Sequence, residues 1–148
     1  MAARSIVHPT DFSAASRPAF AEAVKLSKAS GSALLVFHVL SPSLPLPIGD
    51  EYISPPTYEQ LRKVSRAWAL KQLVRLTRRA RAAKVRSAPV LREGVEAIEI
   101  ARLARSRRAA MIVMGTHGRT GIGRFVLGSV AARVLTLAPC PVLTVRGR

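Results

Sequence analysis

One cysteine, Cys140, leaves no internal disulfide for the fold to rest on and suits a reducing compartment. Aromatic residues are also scarce, with one Trp, two Tyr and four Phe, so the core must be built from Val, Leu, Ile and Ala. No run approaches the ~18 consecutive apolar residues of a membrane-spanning helix. The opening Met1-Ala2-Ala3-Arg4-Ser5 passes straight into a strand-like run, without the apolar stretch of a secretion signal. These absences predict a soluble, cytoplasmic protein with no membrane partner. Its 148 residues fit one domain, 1–148, large enough to bury a real core.

Acidic residues are the last scarcity: eight Asp and Glu against 24 Lys and Arg give a net charge of +16. Such an excess attracts polyanions over distances near the Debye length. It also keeps a surface solvated, and composition alone does not separate the two roles.

Strand-like and helix-like segments alternate along the chain. Residues 5–8 form a short β-type run closed by Pro9. Residues 16–29 read as a helix with Phe20, Ala23, Val24 and Ser27 at helical spacing, Ser16 as N-cap, Pro18 in the first turn and Gly31 as the stop. Residues 33–40 are an apolar run broken only by His38, the pattern of a strand buried on both faces. Residues 41–56 carry Pro42, Pro45, Pro47, Pro55 and Pro56 and read as a long exposed loop. Thr57 and Gln60 have capping-box spacing and open a long helix to about residue 83, with Leu61, Val64, Trp68, Leu73 and Leu76 as its core positions. A third strand at 86–91, a third helix at 94–105 with Ile98, Ala101 and Leu103 facing inward, and a fourth strand at 109–114 follow. A fourth helix at 128–137 and a last strand at 141–146 complete the order. This alternation implies right-handed crossovers and an open parallel sheet covered on both faces.

In open parallel sheets, ligands sit beyond the carboxyl ends of strands, where strand order reverses. The first strand is followed by Pro9-Thr10-Asp11. The fourth is followed by Gly115-Thr116-His117-Gly118-Arg119-Thr120-Gly121-Ile122-Gly123, and Gly128-Ser129 then opens a helix. Glycines let backbone amides approach phosphate oxygens, and a helix N-terminus adds unpaired N–H groups and partial positive charge. Ser129 contributes a hydroxyl, and Arg119 and Arg124 full charges. Asp11 can accept hydrogen bonds from ribose hydroxyls or an exocyclic amine. The loop is neither a Walker A sequence nor G-x-G-x-x-G with a downstream acidic partner. On chemistry alone it is either a phosphate cradle or a flexible turn.

The spacing Gly115-x2-Gly118-x9-Gly128-Ser129 resembles the ATP-binding signature G-x2-G-x9-G-[ST] of the universal stress protein family. The opening Ile6-Val7-His8-Pro9-Thr10-Asp11-Phe12-Ser13, then Phe37-His38-Val39 and Pro139-Cys140-Pro141-Val142-Leu143, are similar to the family's first, second and last strands, so the match spans the whole chain. The resemblance implies an α/β, adenine-nucleotide-hydrolase-like fold with five parallel strands in the order 3-2-1-4-5. It implies that Asp11 meets the ribose or adenine side and that Val39 contacts adenine through its backbone. Gly115, Gly118, Gly128 and Ser129 then hold phosphates and ribose, and His117 and Val130 line the pocket. With Pro9, Thr10, Met114 and Arg119 from the strand ends and the loop, these residues make up the candidate nucleotide site. The ligand expected is ATP, with AMP and cyclic AMP as alternatives. The resemblance also implies a homodimer formed through residues 142–146, which covers an open sheet edge. The high positive charge and the proline-rich segment depart from the family pattern.

Other candidates have plainer readings. His8 and His38, on adjacent strands, lack the carboxylate or thiolate of a metal site and are expected to be buried and hydrogen-bonded. His117 has no acidic partner to orient it for acid–base work and is expected to pack beside the nucleotide. Cys140, between two prolines, reads as a packed turn residue. Asp11 is the one acidic residue placed near the phosphates, so Mg²⁺ has no carboxylate cluster to hold it, and hydrolysis is expected to be slow at most. Arg75, Arg78, Arg79, Arg81 and Lys84 crowd the end of the second helix, and Arg102, Arg105, Arg107 and Arg108 that of the third. They complement helix dipoles or contact the phosphates of a polyanion on the face opposite the nucleotide. Three readings follow: a nucleotide-binding stress or regulatory protein, an interaction module whose basic face binds nucleic acid or an acidic partner, and an ATPase.

Overall fold

Short runs rich in apolar residues form the strands, and the turn residues between them set where each helix begins. The computed structural model describes residues 4–42, 54–117 and 127–147. The strands are β1 (Ser5–Pro9), β2 (Ala33–Leu40), β3 (Ser87–Glu93), β4 (Met111–Gly115) and β5 (Val142–Val145). The helices are α1 (Arg17–Ser30), α2 (Pro55–Ala82), α3 (Glu96–Ser106) and α4 (Ser129–Leu137), with a 3₁₀ turn over Ala14–Ser16. All strand pairs are parallel, and the sheet order is β3-β2-β1-β4-β5, as the resemblance implies. Sheet order therefore reverses at β1, whose partners are β2 and β4.

Each strand sends alternate residues to opposite faces. On one face Val7, Leu35, Phe37 and Ile112 pack with Ile100 and Leu103 of α3 and with Ala131 and Val134 of α4. On the other, Ile6, Leu34, Val36 and Val113 pack with Phe20 and Ala23 of α1 and with Leu73 and Ala80 of α2. The core is aliphatic, and among the described residues Phe20 and Phe37 are the phenylalanines buried in it. Gly31 ends α1 in the left-handed region at φ 68°, where a side chain is strained and glycine is not.

Three expectations are corrected. The second helix begins at Pro55, two residues before the expected capping box. Both prolines of its first turn stand where no intrahelical N–H is needed, and Ser54 Oγ lies 2.8 Å from Thr57 Oγ1. The third helix begins at Glu96 rather than residue 94, because Gly94 stands at φ 146° and donates its N–H to the Leu40 carbonyl. Its buried face is Ala97, Ile100, Ala101, Leu103 and Ala104, and Ile98 is only half-buried.

The third concerns the apolar positions of α2. Its 28 residues span about 42 Å, whereas the eight residues of β2 span about 26 Å. The helix therefore overshoots the sheet. Its buried residues begin only at Ala69, while Leu61, Val64 and Trp68, expected in the core, are 48%, 57% and 45% exposed. Arg62 and Arg66 both reach Glu93 at the end of β3 (2.5 and 3.6 Å) and tie the overhanging half to the sheet.

Candidate functional site

The overhang of α2, the reversal of strand order and the N-termini of α3 and α4 all fall at the carboxyl end of the sheet. Between them lies a cavity of about 710 Å³, within the range of small-molecule sites. Pro9, Thr10, Asp11, Val39, Met114, Gly115, His117, Gly128, Ser129 and Val130 all line it. Gly118 and Arg119, with Arg124, lie outside the described residues.

The loop after β1 is fixed by short hydrogen bonds. Thr10 N–H donates to the Phe37 carbonyl (2.8 Å), and Thr10 Oγ1 accepts from Phe12 N–H (3.0 Å). Phe12 is left-handed at φ 64°, a strained state for an aromatic residue. Its ring packs on His38 at 4.5 Å and edge-on to Trp68 at 5.3 Å. Asp11 Oδ1 accepts from both the N–H and the hydroxyl of Ser13 (3.0 and 2.6 Å), which orients the carboxylate at the cavity wall.

The loop after β4 faces it. Gly128 is the N-cap of α4 and donates its own N–H to the Thr116 carbonyl at 2.8 Å. This corrects the expectation that its amide is open. The first-turn N–H groups of α4, on Ser129, Val130 and Ala131, have no acceptor within the helix, and all three residues line the cavity. A Cβ on Gly128 would meet the Thr116 carbonyl oxygen at 3.0 Å, so the position needs glycine for the close approach of two backbones. His117 Nδ1 lies 2.9 Å from Thr116 Oγ1, while its buried Nε2 has no hydrogen-bond partner among the described residues.

Further lining residues were missed in sequence, among them Val64, Ser65 and Trp68 from the α2 overhang, Glu96 from the first turn of α3 and Ile100 one turn further on. Trp68 was assigned to the core because residues 61, 64 and 68 have core periodicity. Glu96 makes Asp11 no longer the only acidic residue at the site. Helix N-termini in a parallel α/β sheet face the carboxyl edge, and that rule could have found Glu96.

The remaining candidates are accounted for by packing. His8 is fully buried, donates from Nδ1 to the Val113 carbonyl (2.9 Å) and packs against Phe20. Burial pushes its pKa down to about 4, against weaker upward pulls from that hydrogen bond and from Asp11, so it is neutral at pH 7. His38 donates from Nδ1 to the Thr10 carbonyl at 2.7 Å. Cys140 is half-buried against the α3–α4 side of the core, and burial pushes its thiol pKa up, away from nucleophile chemistry. Among the described residues no group of three His, Cys, Asp or Glu is placed to hold a metal ion, and no helix is long and apolar enough to cross a membrane.

These features define a doubly wound α/β protein with a ligand-sized cavity at its switch point. The sequence model of the universal stress protein family matches residues 2–146. Universal stress protein MJ0531 of Methanocaldococcus jannaschii is 34% identical over 145 residues, covering 97% of this chain and 82% of that protein. The chain belongs to the universal stress protein family. Solved structures share its fold. Hypothetical protein MJ0577 has a TM-score of 0.82 at 21% identity over 100% of this chain and 99% of that one. A universal stress protein in complex with cAMP has a TM-score of 0.72 at 23% identity over 100% of both chains. That of Archaeoglobus fulgidus in complex with dAMP has a TM-score of 0.65 at 20% identity over 99% of this chain and 100% of that one.

Proposed function

We propose that the protein binds an adenine nucleotide (ATP, AMP or cyclic AMP) in the cavity at the switch point and serves a regulatory or stress-response role in the cytoplasm. One observation carries this reading: the first turn of α4 and the Asp11 carboxylate line the same cavity. The amides of Ser129, Val130 and Ala131 supply an anion site of the kind that helix N-termini provide. Asp11 supplies an acceptor for ribose hydroxyls or an adenine amine, and Val39, Met114 and Ile100 an apolar wall. The buried Nε2 of His117 gains a partner when a ligand oxygen or nitrogen reaches it. Gly118 and Arg119 belong to the proposed site through the signature spacing. Two solved proteins of the same fold in complex with cAMP and dAMP support an adenine ligand.

Occupancy is favoured over turnover. The Asp11 carboxylate is already engaged by Ser13, and among the described residues no general base is held against the phosphate end by an acidic partner. Mg²⁺ would enter with the phosphates, and Asp11 and Glu96 are the carboxylates that line its route. A homodimer through residues 142–146 is part of the proposal. Among the described residues β5 pairs with β4 alone, which leaves its other edge for a second copy.

Calorimetric titration with ATP, AMP and cyclic AMP tests the reading. At least one is expected to bind saturably to the native chain and to lose that binding in Gly128→Leu, which drives a side chain into the Thr116 carbonyl. Equal binding by the variant, with its fold intact by circular dichroism, would remove the cavity as the site.

A further inference from the structure

Three helices end at the amino end of the sheet in the same left-handed turn, with different residues. α1 ends on Gly31 at φ 68°. α2 and α3 place Lys84 at φ 64° and Arg108 at φ 45° in the corresponding turns. Both cations sit in matching hydrogen-bond motifs. Lys84 N–H donates to the Arg81 carbonyl (2.8 Å) and Val85 N–H to the Ala80 carbonyl (3.0 Å). Arg108 N–H donates to the Arg105 carbonyl (3.1 Å) and Ala109 N–H to the Ala104 carbonyl (2.9 Å). This is the Schellman arrangement, whose left-handed residue is usually glycine because a Cβ is strained there. The chain holds a charged residue at two positions where backbone geometry favours none.

Their surroundings point to a ligand. Lys84 and Arg86 precede β3, Arg4 precedes β1, and Arg107 and Arg108 precede β4; all five are exposed. None forms an ion pair among the described residues. The described carboxylates are elsewhere: Glu22 lies within α1, while at the opposite end Asp11 follows β1, Glu59 stands on the overhanging start of α2, Glu93 ends β3, and Glu96 and Glu99 occupy the first turn of α3. From β3 to β4 the sheet crosses three strand spacings, roughly 15 Å. That width equals a length of duplex axis carrying about four phosphates on each strand.

We propose that this amino edge docks the phosphodiester backbone of a nucleic acid, with Arg4, Lys84, Arg86, Arg107 and Arg108 as the phosphate contacts. Guanidinium groups suit phosphate oxygens in paired hydrogen bonds. Binding is expected to be independent of base sequence, since no aromatic residue neighbours these cations in the sequence to stack on bases. A lipid surface fits less well, because membrane docking adds apolar insertion to charge. Among the described residues the exposed large apolar side chains are scattered: Leu61, Val64 and Trp68 on the α2 overhang at the other end, Leu70 and Val74 further along α2, Val95 before α3, and Leu135 and Leu137 late in α4. The site is independent of the proposed nucleotide cavity and can be filled together with it.

Fluorescence anisotropy with a labelled mixed-sequence duplex of about 20 base pairs tests this between about 50 and 200 mM salt. Affinity is expected to fall with a log–log slope of roughly −3 to −5, as for four or five neutralised phosphates. The double variant Lys84→Gly, Arg108→Gly should weaken duplex binding roughly tenfold at low salt and flatten the slope by about two. Its melting temperature should hold or rise, because glycine takes the left-handed turn without strain. Lys84→Arg should retain native affinity, and so should the cavity variant Gly128→Leu. Three results would overturn the assignment: no duplex binding by the native chain, binding only to vesicles rich in phosphatidylserine, or a double variant that binds like the native chain and melts lower, which would make both residues simple dipole caps.

Discussion

At the carboxyl end of the sheet, Asp11 and Glu96 line a cavity, and Glu59, Glu93 and Glu99 are paired with Arg62, Arg66, Arg92 and Arg102. At the amino end, Arg4, Lys84, Arg86, Arg107 and Arg108 stand exposed with no carboxylate side chain beside them among the described residues. Helix dipoles favour acids at helix starts and bases at helix ends, and parallel topology gathers each kind at its own edge. The difference teaches which groups can recognise an anion at each end. At the amino end, full charges are exposed, with Arg86 also donating to the Gly31 carbonyl (3.1 Å), and they suit a long, solvated polyanion. At the carboxyl end the anion must be held beside carboxylates, so the work falls to backbone amides in the first turn of α4 and to the close approach that Gly128 permits.

The largest expected effect separates the two ends outright. Gly128→Leu should weaken adenine-nucleotide binding by about 100-fold or more, or about 3 kcal/mol, while duplex binding at the amino end stays native. Calorimetry and anisotropy on one preparation read both, and a parallel loss at both ends would mean the variant had damaged the sheet between them.

That intervening layer responds to acid through His8. Its pKa is about 4 in the folded protein against 6.5 when unfolded, so only the unfolded chain takes up a proton as pH falls from 6.5 to 4. Stability from this group is complete above pH 6.5 and drops by roughly 3 kcal/mol across that window, with no further change below it. Urea unfolding at pH 7 and pH 4.5 should show the loss. His8→Asn keeps a donor for the Val113 carbonyl and should flatten the acid limb.

A smaller effect tests whether the α2 overhang belongs to the site. Trp68→Ala should weaken nucleotide binding about tenfold, near 1.4 kcal/mol, yet change the melting temperature little, since the side chain is 45% exposed. The opposite pattern would return Trp68 to a purely structural role. Smallest of all, Arg66→Ala removes an exposed contact to Glu93 and should cost under about 0.5 kcal/mol in urea unfolding.

Much of this was legible in the sequence. Residues 33–40 read as a doubly buried strand because seven apolar residues surround one histidine, and Leu34 to Phe37 are buried on both faces. Sheet order came from the family resemblance, since periodicity carries no strand order. The start of α2 was misread because prolines usually break helices, and only the first turn exempts them. Trp68 was misplaced for a different reason: helical spacing reports which residues share a face, not how far a helix outruns the sheet it covers. The left-handed turns at Lys84 and Arg108 left no trace, because the residue that usually marks them, glycine, is absent there.

The central claim is that an adenine nucleotide occupies the carboxyl-end cavity. Trp68 is the only tryptophan and lines that cavity, so its emission reports occupancy directly. Titration with ATP should shift or quench Trp68 fluorescence saturably, with a midpoint matching calorimetry, and Gly128→Leu should abolish the change. Calorimetric binding of ATP that leaves Trp68 emission unaltered would contradict the account, because the nucleotide would then sit elsewhere on the molecule.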